Sequence, residues 1–411
     1  MRWICLALII VAALTSPLSA KESPPKRLIG TVPGPAQQAI AFNQDGSFLL
    51  TAGYLGLNVW DVKTLKPAGP AIKLPSGVFT TARFVNKSVV VIAIDVEENV
   101  YPENLNYNSY VNFWDARTGK ALRDPMIFHN RCDTAVSPDG SHIAVQFYPE
   151  ISHGRIDKNY QLRVIDVSSG KSTFNYENNL PMKSMKFSAD NTRLLMLEEK
   201  EIFETNTSVW DIVNNKRIFE PVLRGDGSYG VYATGGDSAE FSPDSRRFSV
   251  GYERTFTVYD AVTGKPLLVV DPTVAPVPEA LPWTPDGVSV HFTPDSKRIL
   301  SSFKDNRLID AATGKPLWIE RREFRAVHAF GAESHRMAGW YVRRTENNGI
   351  AEAGVALWDV ESHNLIAKWP VEYQPNVRRI AAISADGHFI AASDSATNQT
   401  YVYDVEAAIA K

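Results

Sequence analysis

The sequence of 411 residues is short of cysteine, of clustered histidine and of any excess of one charge. Its two cysteines are Cys5 and Cys132, and Cys5 lies in an N-terminal segment that we expect to be removed, so no internal disulfide can form. The eight histidines lack the CxxC or HxxxH spacing of a structural metal site. With 43 Lys plus Arg against 46 Asp plus Glu, no basic track indicates nucleic-acid binding.

The sequence also lacks the short motifs of common catalytic sites. There is no Gly-x-Ser-x-Gly elbow, no HExxH and no glycine-rich phosphate loop. We therefore expect a protein that is not an enzyme and that has no cofactor and no catalytic or metal-ligating residues.

Residues 1–20 have the pattern of a secretory signal peptide. Arg2 is followed by the apolar run Ile4–Leu14, and the segment ends in the small residues before Lys21. The run of about 11 apolar residues is shorter than the roughly 20 that span a bilayer. We expect export to the periplasm or the medium, no membrane span in the mature chain, and a single domain over residues 21–411.

A segment that ends in aspartate recurs eight times in this domain. Successive copies are 45 to 54 residues apart, a period typical of propeller blades, and end at Asp61, Asp115, Asp166, Asp211, Asp260, Asp310, Asp359 and Asp404. Apolar residues before the aspartate, such as Leu57 and Val59, alternate with period two, which predicts a strand. The aspartate is expected to accept N–H groups of the next turn, and Gly119 to supply the left-handed residue of that turn.

A second signature precedes each of these strands. It has the composition of a tight hairpin turn and occurs at residues 43–46, 137–140, 188–191, 242–245, 293–296 and 384–387, with degenerate copies at 85–88 and 331–334. Each unit therefore reads as four antiparallel strands, a to d. We predict an all-β fold, an eight-bladed β-propeller in which Lys26–Thr31 completes the last blade, with seven blades as the alternative.

These repeats resemble the WD-repeat (WD40-like) β-propeller family, in an exported bacterial form. Trp-Asp is literal at 60/61, 114/115, 210/211 and 358/359. The Gly-His pair of the family is absent, so the resemblance implies that its buried Asp–His network is missing. Leu308–Trp318 is also similar to the Asp-x-x-Thr-Gly-Lys-x-x-Trp repeat of exported quinoprotein dehydrogenases, whose tryptophan docks on the neighbouring blade.

Nearly all long connections are expected on one face. Short a-to-b and c-to-d turns share one face, and the other face carries the predicted insertions 95–109, 148–159, 198–206, 225–237, 271–287 and 343–354. Long loops on a rigid framework are typical of binding surfaces. The acidic residues of 95–109 and 198–206 leave cation binding open, although neither segment has the pattern of a calcium loop.

Aromatic and charged residues in these insertions are the predicted contacts for a partner. They are Tyr101, Glu103, Tyr107, Tyr110, Tyr148, Glu150, Tyr160, Tyr229, Tyr232, Trp283, Arg343 and Arg344. We expect a monomeric scaffold that presents this face to a protein or a glycan outside the cytoplasm. A quinoprotein-like enzyme and a passive structural protein of the envelope are the alternatives.

Overall fold

The structure is a computed structural model. It describes residues 28–33, 37–53, 56–73, 78–85, 90–97, 108–129, 132–147, 151–152, 155–156, 160–178, 180–201, 204–219, 239–252, 255–270, 289–302, 306–320, 324–344, 350–371, 379–394 and 397–406. These ranges contain 34 strands, arranged in eight sheets and one small hairpin. None of them includes a helix with the length and apolar content of a membrane span.

Each of these eight sheets is one blade, and in blades 1 to 7 the strands follow one another in chain order from the centre outward. The first four blades contain β2 (Gln37–Phe42), β3 (Phe48–Gly53) and β4 (Gly56–Asp61); β5 (Val78–Val85), β6 (Val90–Glu97), β7 (Asn108–Asp115), β8 (Lys120–Ala121) and β9 (Met126–His129); β10 (Cys132–Val136), β11 (His142–Phe147), β14 (Tyr160–Asp166) and β15 (Ser172–Asn178); and β16 (Met182–Phe187), β17 (Arg193–Glu201), β18 (Glu204–Asp211) and β19 (Lys216–Phe219). The hairpin of β12 (Ile151–Ser152) and β13 (Arg155–Ile156) lies between β11 and β14.

The other four blades have four strands each. They contain β20 (Ala239–Phe241), β21 (Arg247–Tyr252), β22 (Thr255–Asp260) and β23 (Pro266–Val270); β24 (Ser289–Phe292), β25 (Arg298–Ser302), β26 (Asn306–Asp310) and β27 (Pro316–Glu320); β28 (Phe324–Phe330), β29 (Arg336–Arg344), β30 (Ile350–Asp359) and β31 (Leu365–Pro370); and β32 (Arg379–Ile383), β33 (Phe389–Asp394), β34 (Gln399–Asp404) and β1 (Leu28–Pro33).

The ring is closed by the N-terminal strand, as the sequence predicts. Strand β1 pairs antiparallel with β34, with Thr31 opposite Tyr401, and is the outermost strand of blade 8. It spans Leu28–Pro33, two residues later than the predicted Lys26–Thr31. Val32 is fully buried in a cluster that also contains Trp60 of blade 1, so the closing strand joins the last blade to the first. The eight sheets exclude the seven-blade alternative.

Blade 1 departs from the predicted four strands. Its sheet has three, and the outer segment is joined by the isolated bridges Leu57↔Ile72 and Trp60↔Pro67. Pro67 and Pro70 lie in this segment, and because proline has no N–H it cannot donate to a regular ladder.

The tryptophan that precedes four of the eight repeated aspartates packs between blades. Trp60 of blade 1 lies against blade 8, Trp114 of blade 2 against the core of blade 1, and Trp358 of blade 7 against blade 6. Trp210 of blade 4 contacts Phe174 of blade 3, with ring centroids 5.4 Å apart. Each blade therefore covers an apolar face of the preceding one, which a single sheet cannot do for itself.

The aspartates act as predicted in the turns that follow them. Asp115 Oδ1 accepts the N–H groups of Arg117 at 2.8 Å and Thr118 at 3.2 Å, and Gly119 has a φ of 65°. At Asp61, the Thr64 hydroxyl and N–H groups donate to the carboxylate and hold its pKa below the ordinary value. Repeated Asp residues are therefore explained by turn formation.

The a-to-b turns also join neighbouring blades. In three successive blades the turn residue in the left-handed conformation is not glycine but Asn191, Ser245 or Ser296. Its side chain accepts the backbone N–H of the turn aspartate in the preceding blade, and the three bonds are Asp139 N–Asn191 Oδ1 (3.3 Å), Asp190 N–Ser245 Oγ (2.9 Å) and Asp244 N–Ser296 Oγ (3.0 Å). These bonds fix each turn to the next.

One buried hydrogen bond replaces part of the network that the resemblance implies to be missing. Trp60 Nε1 donates to Thr51 Oγ1 at 2.9 Å, inside blade 1. At the equivalent positions of other blades, Trp114 Nε1, Trp210 Nε1 and Ser301 Oγ are buried without a hydrogen-bond partner among the described residues. Among the described blades, only blade 1 has both the tryptophan and a hydroxyl residue at the position of Thr51.

Candidate functional site

The two faces of the ring differ in the length of their connections. The a-to-b turns have four or five residues, and so do the c-to-d turns that join regular strands in blades 2 to 7. We call this side the turn face. The opposite side, the loop face, carries connections of 10 residues after β6, 12 after β11, 19 after β19 and 18 after β23. The insertions predicted at 95–109, 148–159, 225–237 and 271–287 contribute to these connections.

Two predicted insertions are wrong, because their residues continue the strands. Residues 198–206 belong almost entirely to β17 and β18, and Glu198 is buried. Most of 343–354 likewise belongs to β29 and β30, where Arg343 is paired in register with Glu352. The polar composition of these segments predicted loops, whereas the structure has paired strands there.

Four of the predicted contact residues lie within the described residues. Tyr110 is in β7 and Tyr160 begins β14, while Arg343 and Arg344 end β29. The remaining eight lie outside the described residues: Tyr101, Glu103, Tyr107, Tyr148, Glu150, Tyr229, Tyr232 and Trp283.

Tyr110 and Tyr160 lie at the loop-face ends of neighbouring blades. Tyr110 is paired with Asp95 and with Ile127, and Tyr160 with Asn178. Both tyrosines are half-buried. Tyr160 is the first residue after a long connection, and Tyr110 is the third residue of the strand that follows another. Both aromatic residues therefore lie near the loop face, in blades 2 and 3.

The seam between these blades adds two residues that the sequence reasoning missed. Phe147, the last residue of β11, packs edge-on against Phe128 of blade 2, with centroids 5.7 Å apart. The guanidinium of Arg163 lies 5.1 Å from the Phe147 ring and donates to Gln161 Oε1 at 3.0 Å. Arg163 is exposed, so it brings a positive charge and a stacked aromatic ring to the same edge.

Arg163 and Phe147 leave no clear signal in the sequence. Arg163 is simply the polar member of an alternating strand, and Phe147 the last apolar residue of another. Their contact depends on the register of β11 and β14, which pairs Phe147 with Gln161. We call Tyr110, Phe147, Tyr160 and Arg163 the blade 2–3 edge.

Polar contacts anchor the neighbouring connections. Gln146 donates through Nε2 to Leu180 O at 3.1 Å and accepts the N–H of Met182 at 2.6 Å, which fixes the connection from blade 3 to blade 4. In blade 7, the Tyr341 hydroxyl donates to Glu352 Oε1 at 2.7 Å, and Lys368 Nζ lies 4.7 Å from the Tyr341 ring. The loop face therefore rests on a fixed framework.

The described residues of this face carry groups suited to contact with a partner. Among the described residues, no three His, Cys, Asp or Glu side chains are grouped as metal ligands. The blade 2–3 edge instead combines aromatic rings, a phenol hydroxyl and a guanidinium, the groups that are enriched in protein interfaces. Trp318, the residue shared with the quinoprotein repeat, stacks on His363 of blade 7 with centroids 6.4 Å apart. It therefore contacts the neighbouring blade.

The sequence matches no protein-family model and no curated protein. Among solved structures, the chain is similar to a chain in the crystal structure of a mitotic checkpoint complex, with 13% identity, 98% of this chain and 99% of that chain covered, and a TM-score of 0.49. It is also similar to the Cps50 (Swd1) β-propeller domain of Myceliophteria thermophila, with 14% identity, 80% and 99% covered, and a TM-score of 0.50. The fold is that of a WD40-type β-propeller.

Proposed function

We propose that this protein is a non-catalytic scaffold that binds a protein partner through the loop face. The observation that carries the proposal is the one-sided distribution of connections, up to 19 residues on the loop face against four or five in the turns between regular strands opposite. A closed ring of eight blades holds these connections on a rigid base, so that binding need not order the framework.

The blade 2–3 edge is the proposed centre of contact. Tyrosine offers a large, stiff surface with a polar tip, and arginine stacked on an aromatic ring remains available for carboxylate or carbonyl groups of the partner. The fixed positions of Phe147 and Arg163 reduce the conformational entropy that binding would otherwise cost.

Export is part of the proposal and rests on the sequence of residues 1–20. N-terminal sequencing of the protein recovered from the extracytoplasmic fraction of its native host tests this point. Cleavage before Lys21 supports it, and an intact Met1 in the cytoplasmic fraction contradicts it.

The binding face is tested by quantitative pull-down from an extracytoplasmic extract, with bound proteins measured by mass spectrometry. The double variant Tyr110→Ala/Tyr160→Ala is expected to lose at least tenfold of the specifically bound partner. The control is Lys120→Ala/Lys171→Ala, which changes exposed residues on the turn face of the same two blades and is expected to bind as the unchanged protein does.

Two results would contradict this assignment. Equal capture by the Tyr110/Tyr160 variant and the unchanged protein would remove the blade 2–3 edge from the interface. Loss of capture in the turn-face control alone would place the interface on the other side of the ring.

A further inference from the structure

The exposed tips of the c-to-d turns change in chemistry around the ring. The residue two positions after the strand-c aspartate is exposed in all seven of these turns, and in blades 1 to 7 it is Lys63, Arg117, Ser168, Val213, Val262, Ala312 and Glu361. The tips of blades 4 to 6 are thus apolar, while those of the other blades are charged or polar. Val213 and Val262 are 71% and 62% exposed.

Turn formation does not require these valines. The N–H of Val213 donates to Asp211 and that of Val262 to Asp260, each at 3.1 Å. Arg117 and Glu361 make the same backbone contact in their own turns with charged side chains. Because only the backbone takes part, the side chain at this position is not fixed by the turn.

The apolar surface continues along the outer strand of blade 5. Leu267 and Val269 alternate on β23 and are 56% and 67% exposed, and Leu317 of β27 is 42% exposed. All five residues of β23 are apolar, whereas the outermost strands of blades 3, 4, 6 and 7 each include a charged residue. Charged side chains on edge strands discourage pairing with a further strand, and β23 has none.

The turns and outer strands of blades 4, 5 and 6 lie next to one another. The turn of blade 5 abuts the outer strand of blade 4, since a Cβ at Gly264 would lie 2.5 Å from Ile218 O. Likewise, a Cβ at Gly314 of blade 6 would lie 2.9 Å from Leu268 Cδ1 of blade 5. We call this surface the blade 4–6 rim, which comprises Val213, Val262, Leu267, Val269 and Leu317 together with the lysines Lys216, Lys265 and Lys315.

The rim carries three lysines whose ammonium groups have no ionic partner among the described residues. All three lysines are exposed. The nearby carboxylates are engaged in turns: Asp260 accepts the Thr263 N–H at 2.7 Å, and Asp310 accepts the Thr313 N–H at 2.7 Å. A ligand therefore meets apolar side chains and unpaired ammonium groups.

We propose that the blade 4–6 rim binds an extended segment of a partner protein in which apolar and acidic side chains alternate. Such a segment adds along the open edge of β23, its apolar side chains cover Leu267 and Val269, and its carboxylates meet the lysines. This surface is separate from the loop face, so one molecule can hold two partners at once. The proposal does not depend on which residues of the loop face bind.

The probe is a fluorescein-labelled 12-residue peptide of alternating leucine and glutamate, with a second peptide that carries lysine in place of glutamate. Fluorescence anisotropy is expected to show at least tenfold tighter binding of the glutamate peptide, with affinity falling as salt rises. Each of two triple variants is expected to weaken it at least tenfold: Val262→Ser/Leu267→Ser/Val269→Thr and Lys216→Glu/Lys265→Glu/Lys315→Glu.

The matched control reverses the lysines at the same turn position in blades 1 to 3, Lys66→Glu/Lys120→Glu/Lys171→Glu. It is expected to keep the affinity within twofold, and so is Tyr110→Ala/Tyr160→Ala on the loop face. Urea unfolding checks that each variant is folded, and Leu267→Ser alone replaces the apolar triple variant if that variant is not. Failure of the glutamate peptide to bind, equal binding of both peptides, or an equal loss in the control would overturn the proposal.

Discussion

The bonds between neighbouring a-to-b turns lead to a specific ranking of substitutions at Ser245. This residue is buried, has a φ of 59°, and its Oγ accepts the Asp190 N–H of the preceding blade at 2.9 Å. Ser245→Ala removes the acceptor and keeps a β-carbon in the left-handed conformation. Ser245→Gly removes the acceptor and also the steric cost of that conformation. Ser245→Asn keeps both the acceptor and a residue that tolerates the conformation, as Asn191 does in blade 4.

The magnitudes decide the order. Leaving a partly buried N–H without its acceptor costs about 1 to 3 kcal/mol. A non-glycine residue in the left-handed region costs about 1 to 2 kcal/mol, which glycine avoids. Ser245→Ala is therefore expected to lower the free energy of unfolding by about 1 to 3 kcal/mol. Ser245→Gly is expected to lie within about 1 kcal/mol of the unchanged protein, because the two effects oppose each other. Ser245→Asn is expected to be nearly neutral.

Urea denaturation followed by tryptophan fluorescence measures the three variants, provided that the slope of each transition is unchanged. Ser296→Ala should repeat the loss seen with Ser245→Ala, since Ser296 makes the same contact to Asp244 at 3.0 Å. If alanine and glycine at position 245 were equally stable, the left-handed conformation would carry no strain, because both variants lack the acceptor. Full stability of both alanine variants would refute the contact between blades.

Three further predictions concern other contacts. Thr51→Val leaves the Trp60 indole without an acceptor and should lower the free energy of unfolding by about 1 to 3 kcal/mol. Ser301→Ala removes a buried hydroxyl that has no partner among the described residues and should cost less than about 1 kcal/mol. Urea unfolding measures both, and equal losses would contradict this. Gly30→Ala places a methyl group 2.7 Å from Leu65 Cδ1 and should lower the melting temperature, which Leu65→Ala in the same chain should restore if the clash is the cause. Hydrogen bonds from Ser168 and Ser169 lower the pKa of Asp166 from 3.8 to about 2, and the pKa values of other turn aspartates are lowered in the same way. The stabilisation that these carboxylates give is therefore complete above about pH 4 and is lost as the pH falls towards 2. A melting temperature that rises below pH 4 would contradict this.

The blade architecture was predictable because its causes are local. Asp115 and Gly119 define the same turn wherever they recur, and the period between repeats gives the number of blades. Ring closure followed from counting strands, since the last unit lacks its own outer strand and residues near Leu28 belong to no other blade.

The errors arose where distant residues decide the structure. Residues 198–206 continue a hairpin because β17 and β18 match in length and register, which no single segment reveals. Ser245 occupies a position that turn chemistry assigns to glycine or asparagine, and its reason lies in the Asp190 N–H of another blade. For the candidate site, composition identified Tyr110 and Tyr160, and their role in binding stays a prediction. The contact of Arg163 with Phe147 required the register of two strands.

Differences between equivalent positions separate structural needs from functional ones in a repeated fold. In the c-to-d turn, His363 is left-handed and stacks on Trp318 of the preceding blade, and Leu65 in the same conformation lies opposite Gly30. A neighbouring blade explains both exceptions. Val213 and Val262 also depart from the charged or polar residues of the turns in blades 1 to 3 and 7, yet they are mostly exposed and their turns use only their backbone. Neither the turn nor the core requires an apolar side chain at these two tips, and the ligand proposed for the blade 4–6 rim would give them a role.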